Sequence, residues 1–482
     1  MKLLALCAAS ALAMTASNAG ATAYVTDPAG GGQPFSNYQP SLVLTQSIGI
    51  QGIFPPRGGG GTSNGFIGMM HTFAGNFGPF GTPPALGQLL PISQNTALFS
   101  ILGTTYGGDG KVTFALPNLI GQSVIGAGQG PGLEHFSLGQ TAGSATVTLT
   151  ETQMPAHDHD YAPGMPTSPT GGNQQFDNYQ PSLALNYMIA ADGLFPSQDS
   201  GGGHTLIGEI GVFAGNFEPG GWLFADGRLL DIATYDTLFQ VIGTTYGGDG
   251  QTTFALPDLR GRTIVGTGQG PGLEMVDLGE VLGRPEVTLT QSQMPSHDHG
   301  LPTGGTTDIT GGNQPFDQHE PSLGLNYIIA LQGVFPPRDG SGAVPDDVPY
   351  MGEIVAFAGG FAPKGWALAQ GQLLSIAQNQ ALFSILGTMY GGNGQTTFAL
   401  PDLRGRTILG SGFNQLGTFN VGDKIGSSYT TLSLNELPSH THGYELAGAP
   451  GVPEPATWAM MIGGFALVGA SMRRRKLAVA FG

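Results

Sequence analysis

Three short phrases carry most of the chain's recognisable chemistry: QMPAHDHD at 153–160, QMPSHDHG at 293–300 and ELPSHTHG at 436–443. Together they hold six of the ten histidines. Each places two histidines one residue apart after a proline: His157 and His159, His297 and His299, His440 and His442. On extended backbone, residues i and i+2 share a face, so both imidazoles of a pair point the same way. At neutral pH most imidazoles are unprotonated and carry a free lone pair. Two such nitrogens make a poor metal site. Three pairs meeting on an axis offer six, enough for an octahedral shell, and imidazole suits zinc, iron, nickel or copper. The other reading is that the rings pack and hydrogen-bond at a strand end without metal. A filled six-coordinate shell leaves no position for substrate, so the metal reading also favours structure over catalysis.

The elements that position these phrases recur three times. ALFSILGTTYGGDGKVTFALPNL at 97–119 returns as TLFQVIGTTYGGDGQTTFALPDL at 237–259 and as ALFSILGTMYGGNGQTTFALPDL at 381–403. Tyr106, Tyr246 and Tyr390 mark the period, at intervals of 140 and 144 residues. A unit of that size is a domain rather than a solenoid repeat. Each unit opens with an alternating stretch that predicts a strand, such as MGEIVAFAGGF at 351–361. A short helix follows; in the third copy Leu382, Phe383 and Leu386 form its apolar face and Gly387 stops it. The YGGDG turn then leads into an extended TTFALPDL segment. A shorter phrase, typified by QPSLALNYMIAADGLFPS, precedes every body at 31–57, 171–197 and 311–338.

The units are therefore read as 31–57 (a first short phrase), 66–161 (unit 1), 171–300 (unit 2) and 311–443 (unit 3), with a linker at 444–451. The array starts with a short phrase and ends with a body, so it looks circularly phased. The first phrase is expected to pack against the third body and close a ring. Unit 1 is the degenerate copy: it has Asn118, Ile120 and Gln122 where unit 2 has Asp258, Arg260 and Arg262.

Composition agrees with a β-rich, loop-heavy chain. Of 482 residues, 82 are glycine, 35 are proline and only 10% are charged, while 40% are hydrophobic. The net charge is −17, and no Lys/Arg cluster lies in the body, which argues against nucleic acid as a partner. The single cysteine, Cys7, lies in an N-terminal run read as a secretory signal peptide over 1–23. The mature chain then has no thiol for disulfides, thiolate metal sites or nucleophilic catalysis.

At the other end Val452, Pro453, Glu454 and Pro455 precede an apolar run at 456–472, followed by Arg473, Arg474, Arg475 and Lys476. The run is near the lower limit for a membrane span, and the basic cluster would hold its end in the cytoplasm. This order resembles the PEP-CTERM sorting signal of Gram-negative bacteria. The resemblance implies export, inner-membrane anchoring by a transmembrane helix at 456–472, processing by an exosortase-type enzyme, and release to the cell surface or extracellular matrix.

The repeated motifs GEIxxFAGxFxPxGW, LFxxxGTxYGGxGxTTFALPDLRGR, GQGPGLE and TLTxxQMPxHxH resemble the phage tail collar domain, in particular the microcystin-dependent protein branch. The resemblance covers most of 31–443. It implies an α+β, β-dominated fold with one short helix per unit, of the kind found where tail fibres assemble as trimers. In such fibres His-x-His pairs from three chains can meet around an axial metal. The resemblance extends that arrangement, with zinc or iron, to His157/His159, His297/His299 and His440/His442. A single chain with three copies would then build the site as a pseudo-trimer, or self-associate.

Other motifs point away from catalysis. Pro271 breaks the phosphate-cradle spacing of GTGQGPGLE, and YGGDG lacks the alternating acids of a calcium loop. Asp258/Arg260 and Asp402/Arg404 read as local ion pairs, and Trp222 and Trp366 as core or interface anchors. No carboxylate recurs at one place in all three copies, as an acid–base site common to them would need. The sequence thus predicts a non-enzymatic surface or matrix protein. The alternatives are an adhesin that binds glycans or a partner surface through the variable segments 197–204 and 339–350, and, third, a hydrolase acting on a surface polymer.

Overall fold

A computed structural model describes residues 22–57, 63, 65–197, 205–337 and 348–446. Three strands, Met69–Phe73, Glu209–Phe213 and Glu353–Phe357, pair with one another in a closed triangle. The start of each meets the end of another: Glu209 opposes Phe357, Glu353 opposes Phe73, and Met70 opposes Val212. Such closure satisfies backbone groups that an open edge would expose.

Around the triangle run three long strands, Ser41–Ile48, Ser182–Ala190 and Ser322–Ala330. Each bridges two units. Ser182–Ala190 runs parallel to Ser123–Gly126 of unit 1 and antiparallel to Glu209–Phe213 of unit 2. Ser322–Ala330 joins units 2 and 3 in the same register. Ser41–Ile48 runs parallel to Thr407–Gly410 of unit 3 and antiparallel to Met69–Phe73 of unit 1. The first short phrase therefore closes a ring between the third body and the first. These strands carry almost no charge because both faces are covered, as near-continuous burial from Ser41 to Ile48 shows.

The sequence copies are not separate bodies. One contiguous core draws on all three, with Phe73, Phe213 and Phe357 at 1% exposure or less, and Phe114, Phe254 and Phe398 fully buried. Burial of each such side chain contributes about 1.5–3 kcal/mol. Three tyrosines lock unit to unit: the hydroxyls of Tyr106, Tyr246 and Tyr390 donate to the carbonyls of Ala214, Ala358 and Ala74 at 2.7, 2.8 and 2.5 Å.

The helices are α1 (Thr96–Leu102), α2 (Asp236–Ile242) and α3 (Gln380–Leu386). Each buries three aliphatic residues and stops at a glycine with φ of 53–56°, which a side chain would strain. At seven residues they are about 10 Å long.

This corrects one part of the expected fold class. Among the described residues no helix is long and apolar enough to cross a membrane. The run at 456–472 lies outside the described residues. The described fold is β-dominated with three short helices, and it gives no support to the expected transmembrane helix or to anchoring through it. Residues 1–21 of the expected signal peptide and most of the variable segments also lie outside the described residues. Residues Thr22–Val25 form a strand paired with Gly443–Leu446, so the described chain's two ends lie side by side.

Candidate metal centre

Beyond the triangle, matching residues of the three units stack in layers along one pseudo-threefold axis. The first is polar: Gln39, Gln180 and Glu320, all at 1% exposure or less. Gln39 Nε2 and Gln180 Nε2 donate to Glu320 Oε1 at 3.1 and 2.9 Å, and the Gln180 amide donates to Oε2 at 3.2 Å. Full burial pushes the Glu320 carboxyl up to about 8. Next, Phe35, Phe176 and Phe316 meet edge to face with ring centroids 5.7–5.9 Å apart. Then Met154, Met294 and Leu437 close a fully buried apolar layer.

The histidine phrases come next, and their approach is set locally. Thr150, Thr290 and Ser433 each form a capping box with Gln153, Gln293 or Glu436, which fixes one 3-10 turn. The Met or Leu that follows is pinned on the axis, and the proline after it keeps the chain extended. The backbone is not a regular strand here. His157 and His297 form single bridges to Thr170 and Thr310, and His440 forms one to Ala29. Extended geometry still turns both rings of each pair inward, as expected.

All six histidines are buried, at 5% exposure or less. Nδ1 of His157, His297 and His440 donates to the carbonyl of Pro155, Pro295 and Pro438 respectively, at 2.9 Å each. Nδ1 of His159, His299 and His442 donates to Asp308, Asp27 and Ser168 carbonyls at 2.8, 2.8 and 3.0 Å. Those partners come from a neighbouring part of the ring. Asp27 of the N-terminal segment does for His299 what the linkers after units 1 and 2 do for the other two. Threonine hydroxyls repeat the pattern: Thr167, Thr307 and Thr26 accept the backbone N–H of His159, His299 and His442 at 3.1, 3.0 and 2.9 Å.

With every Nδ1 occupied as a donor, every Nε2 is left as a bare lone pair. His440 Nε2 lies 3.2 Å from Nε2 of both His157 and His297, contacts in which neither nitrogen has a hydrogen to give. Nε2 of His159, His299 and His442 has no hydrogen-bond partner at all. Burial, opposed by the Nδ1 hydrogen bonds, lowers His157 and His299, and holds His297 and His442 down to about 4 and His440 to about 3.

The residues fit a transition metal. Their ligand atoms fall into two overlapping groups of four, His157/His159/His297/His299 and His157/His299/His440/His442, each within 4.8 Å. An octahedral shell with bonds of about 2.1 Å spaces adjacent nitrogens about 3.0 Å apart and opposite ones about 4.2 Å. Carbonyls on all six Nδ1 atoms fix tautomer and ring orientation, as the outer shell of a histidine–metal site does.

The other sequence candidates are structural. Arg260 forks onto Asp258 at 2.9 and 2.7 Å, and Arg404 onto Asp402 at 2.8 Å in both arms. In unit 1, Asn118 keeps the same turn through the Ile120 amide at 3.2 Å without an ion pair. In the YGGDG turn Asp109 accepts three backbone amides, which holds its carboxyl down to about 2. Trp222 and Trp366 are buried. The Gln39–Gln180–Glu320 layer escaped the sequence reading. Its signal is the QPSL, QPSL and EPSL at the same place in each short phrase.

Residues 68–124, 208–264 and 352–408 match the Phage Tail Collar Domain, and residues 451–476 match the PEP-CTERM protein-sorting motif. The collar matches stop before the histidine phrases, so the candidate metal centre stands on geometry alone. Over 103 residues the chain is 38% identical to Protein RhiB of Rhizobium leguminosarum bv. viciae; the match covers 19% of this chain and 46% of that protein. The chain thus covers less than half the length of this relative. No solved structure matches.

Proposed function

For a chain that carries three phage tail collar domains and a PEP-CTERM sorting motif, we propose an exported structural role without catalysis, at the cell surface or in the extracellular matrix of a Gram-negative bacterium. The sorting motif implies processing by exosortase-type machinery. On this reading the chain is a single-chain counterpart of a trimeric fibre module, and a transition metal such as zinc or iron closes its tip. The observation that carries the reading is the set of six buried imidazoles whose Nε2 atoms face one another without a donor. When bound, the metal supplies charge and coordination; the chain supplies six oriented lone pairs and excludes water.

The test measures metal content and molar mass on one purified sample of residues 22–446, produced without a tag. One tightly held transition metal per monomer is the expected result. A metal-free protein whose unfolding ignores chelator would reduce the histidines to packing. One metal per unit in a larger oligomer would mean that the sites form between chains, and would overturn the single-chain reading.

A further inference from the structure

The three seams of the ring are built alike but not filled alike. At the seam between units 2 and 3, the Thr267 hydroxyl donates to Asn326 Oδ1, and Leu368, Gln370 and Arg404 close in. About 10 Å³ remains there. At the seam between units 1 and 2, Ala127 stands where Thr267 stands, and Asp226 where Gln370 stands. The same place is then a cleft of about 240 Å³.

Its lining has a definite chemistry. Asn186 commits its Nδ2 to the Gly215 carbonyl at 2.7 Å. Its Oδ1, whose counterpart takes the Thr267 hydroxyl, therefore stays available as an acceptor. Asp226 and Arg260 also line the cleft, and each has a partner of opposite charge. Arg228 forks onto Asp226 at 2.8 and 2.6 Å, and Asp258 takes Arg260 at 2.9 and 2.7 Å. Lone pairs on Asp226 and N–H groups on Arg260 remain, while the lining carries no net charge. Phe224, Tyr187 and Leu259 supply flat apolar surface beside these groups.

A neutral ligand is required, because an anion would meet Asp226 and a cation would meet Arg260. It must donate and accept within a few ångströms, as hydroxyl groups do, and must offer an apolar C–H face to the rings. We propose that the cleft between units 1 and 2 binds one neutral pyranose ring. The proposal does not depend on the metal centre, so either can fail alone.

The test is saturation-transfer NMR on the full-length protein with glucose, galactose, mannose and N-acetylglucosamine, each at millimolar concentration. Transfer to at least one sugar is expected. Ala127→Thr, which copies the closed seam, should weaken that signal at least tenfold with an unchanged melting temperature. Ala127→Gly should retain it. Should Ala127→Thr fold poorly, Asp226→Gln, which copies Gln370, decides the matter by the same tenfold loss. Absence of transfer to all four sugars overturns the proposal, as does an undiminished signal in the folded closing variant.

Discussion

Two polar layers sit on the same axis, and both are buried; they differ in the donors each can offer its own acceptors. In the Gln39–Gln180–Glu320 layer, amide donors meet a carboxyl acceptor: Gln39 and Gln180 both donate to Glu320 Oε1, at 3.1 and 2.9 Å, and only Gln39 Oε1 is left without a partner. In the histidine layers every donor is spent outward on a carbonyl, and the six inward nitrogens are all acceptors. Burial alone therefore does not mark a ligand site. What marks it is burial together with a shortage of donors, because an unpaired buried polar group costs about 1–3 kcal/mol. The first layer supplies donors to its own carboxyl; the second has no donor to offer its six inward nitrogens.

The strongest way to break this comparison is to remove the cation. Chelation should lower wild-type stability by about 4 kcal/mol if free metal stands a thousandfold above its dissociation constant. His440→Ala, which removes the nitrogen central to two 3.2 Å contacts, should lose the metal and become insensitive to chelator. Unfolding curves with and without chelator decide it; a wild type that does not respond would make the two layers equivalent.

The second prediction concerns Glu320. Its folded value of about 8 lies above the ordinary 4.5, so its contribution is fully present below about pH 4.5 and is lost as pH rises through 8. The loss runs at about 1.4 kcal/mol per pH unit across that window. Glu320→Gln restores the residue found in the other two copies, and should flatten the slope and raise the melting temperature at pH 8. An unaltered slope would show that burial does not hold the Glu320 carboxyl up in this layer.

The smallest effect is expected in the shell that aims the histidines. Thr307→Val leaves the His299 amide without its 3.0 Å acceptor. A loss of about 1 kcal/mol and of about tenfold in metal affinity should follow, with Thr307→Ser restoring both. Calorimetric metal titration reads the two apart from a general loss of folding.

Much of this was legible in the sequence because it is local. Gly103, Gly243 and Gly387 stop the helices, and Asp258 with Arg260 forms its ion pair two residues away. The sorting match falls on the motif that suggested it, and the collar matches fall on the strand and TTFALPDL motifs but stop before GQGPGLE and the histidine phrases. Unit 1 read as degenerate, yet it supplies Tyr106, Phe73 and two histidines to the ring on equal terms. The reason is that ring closure uses backbone acceptors and apolar residues, which Asn118 and Ile120 leave untouched. The seam cleft was not legible, since it follows from small side-chain differences, Ala127 for Thr267 and Asp226 for Gln370, that face Asn186, 59 residues from Ala127 and 40 from Asp226 in the chain.

By itself the sequence determined the repeat, its period, the three His-x-His pairs and the circular phase of the array. Periodicity, turn chemistry and the i to i+2 geometry of extended chain act within a few residues, so they can be read from order alone. Only the tertiary structure decided that the three copies share one core, that Asp27 completes the shell at His299, and that six Nε2 atoms converge without a donor. Those are relations between residues hundreds of positions apart. Their energies depend on which groups face each other once water is excluded.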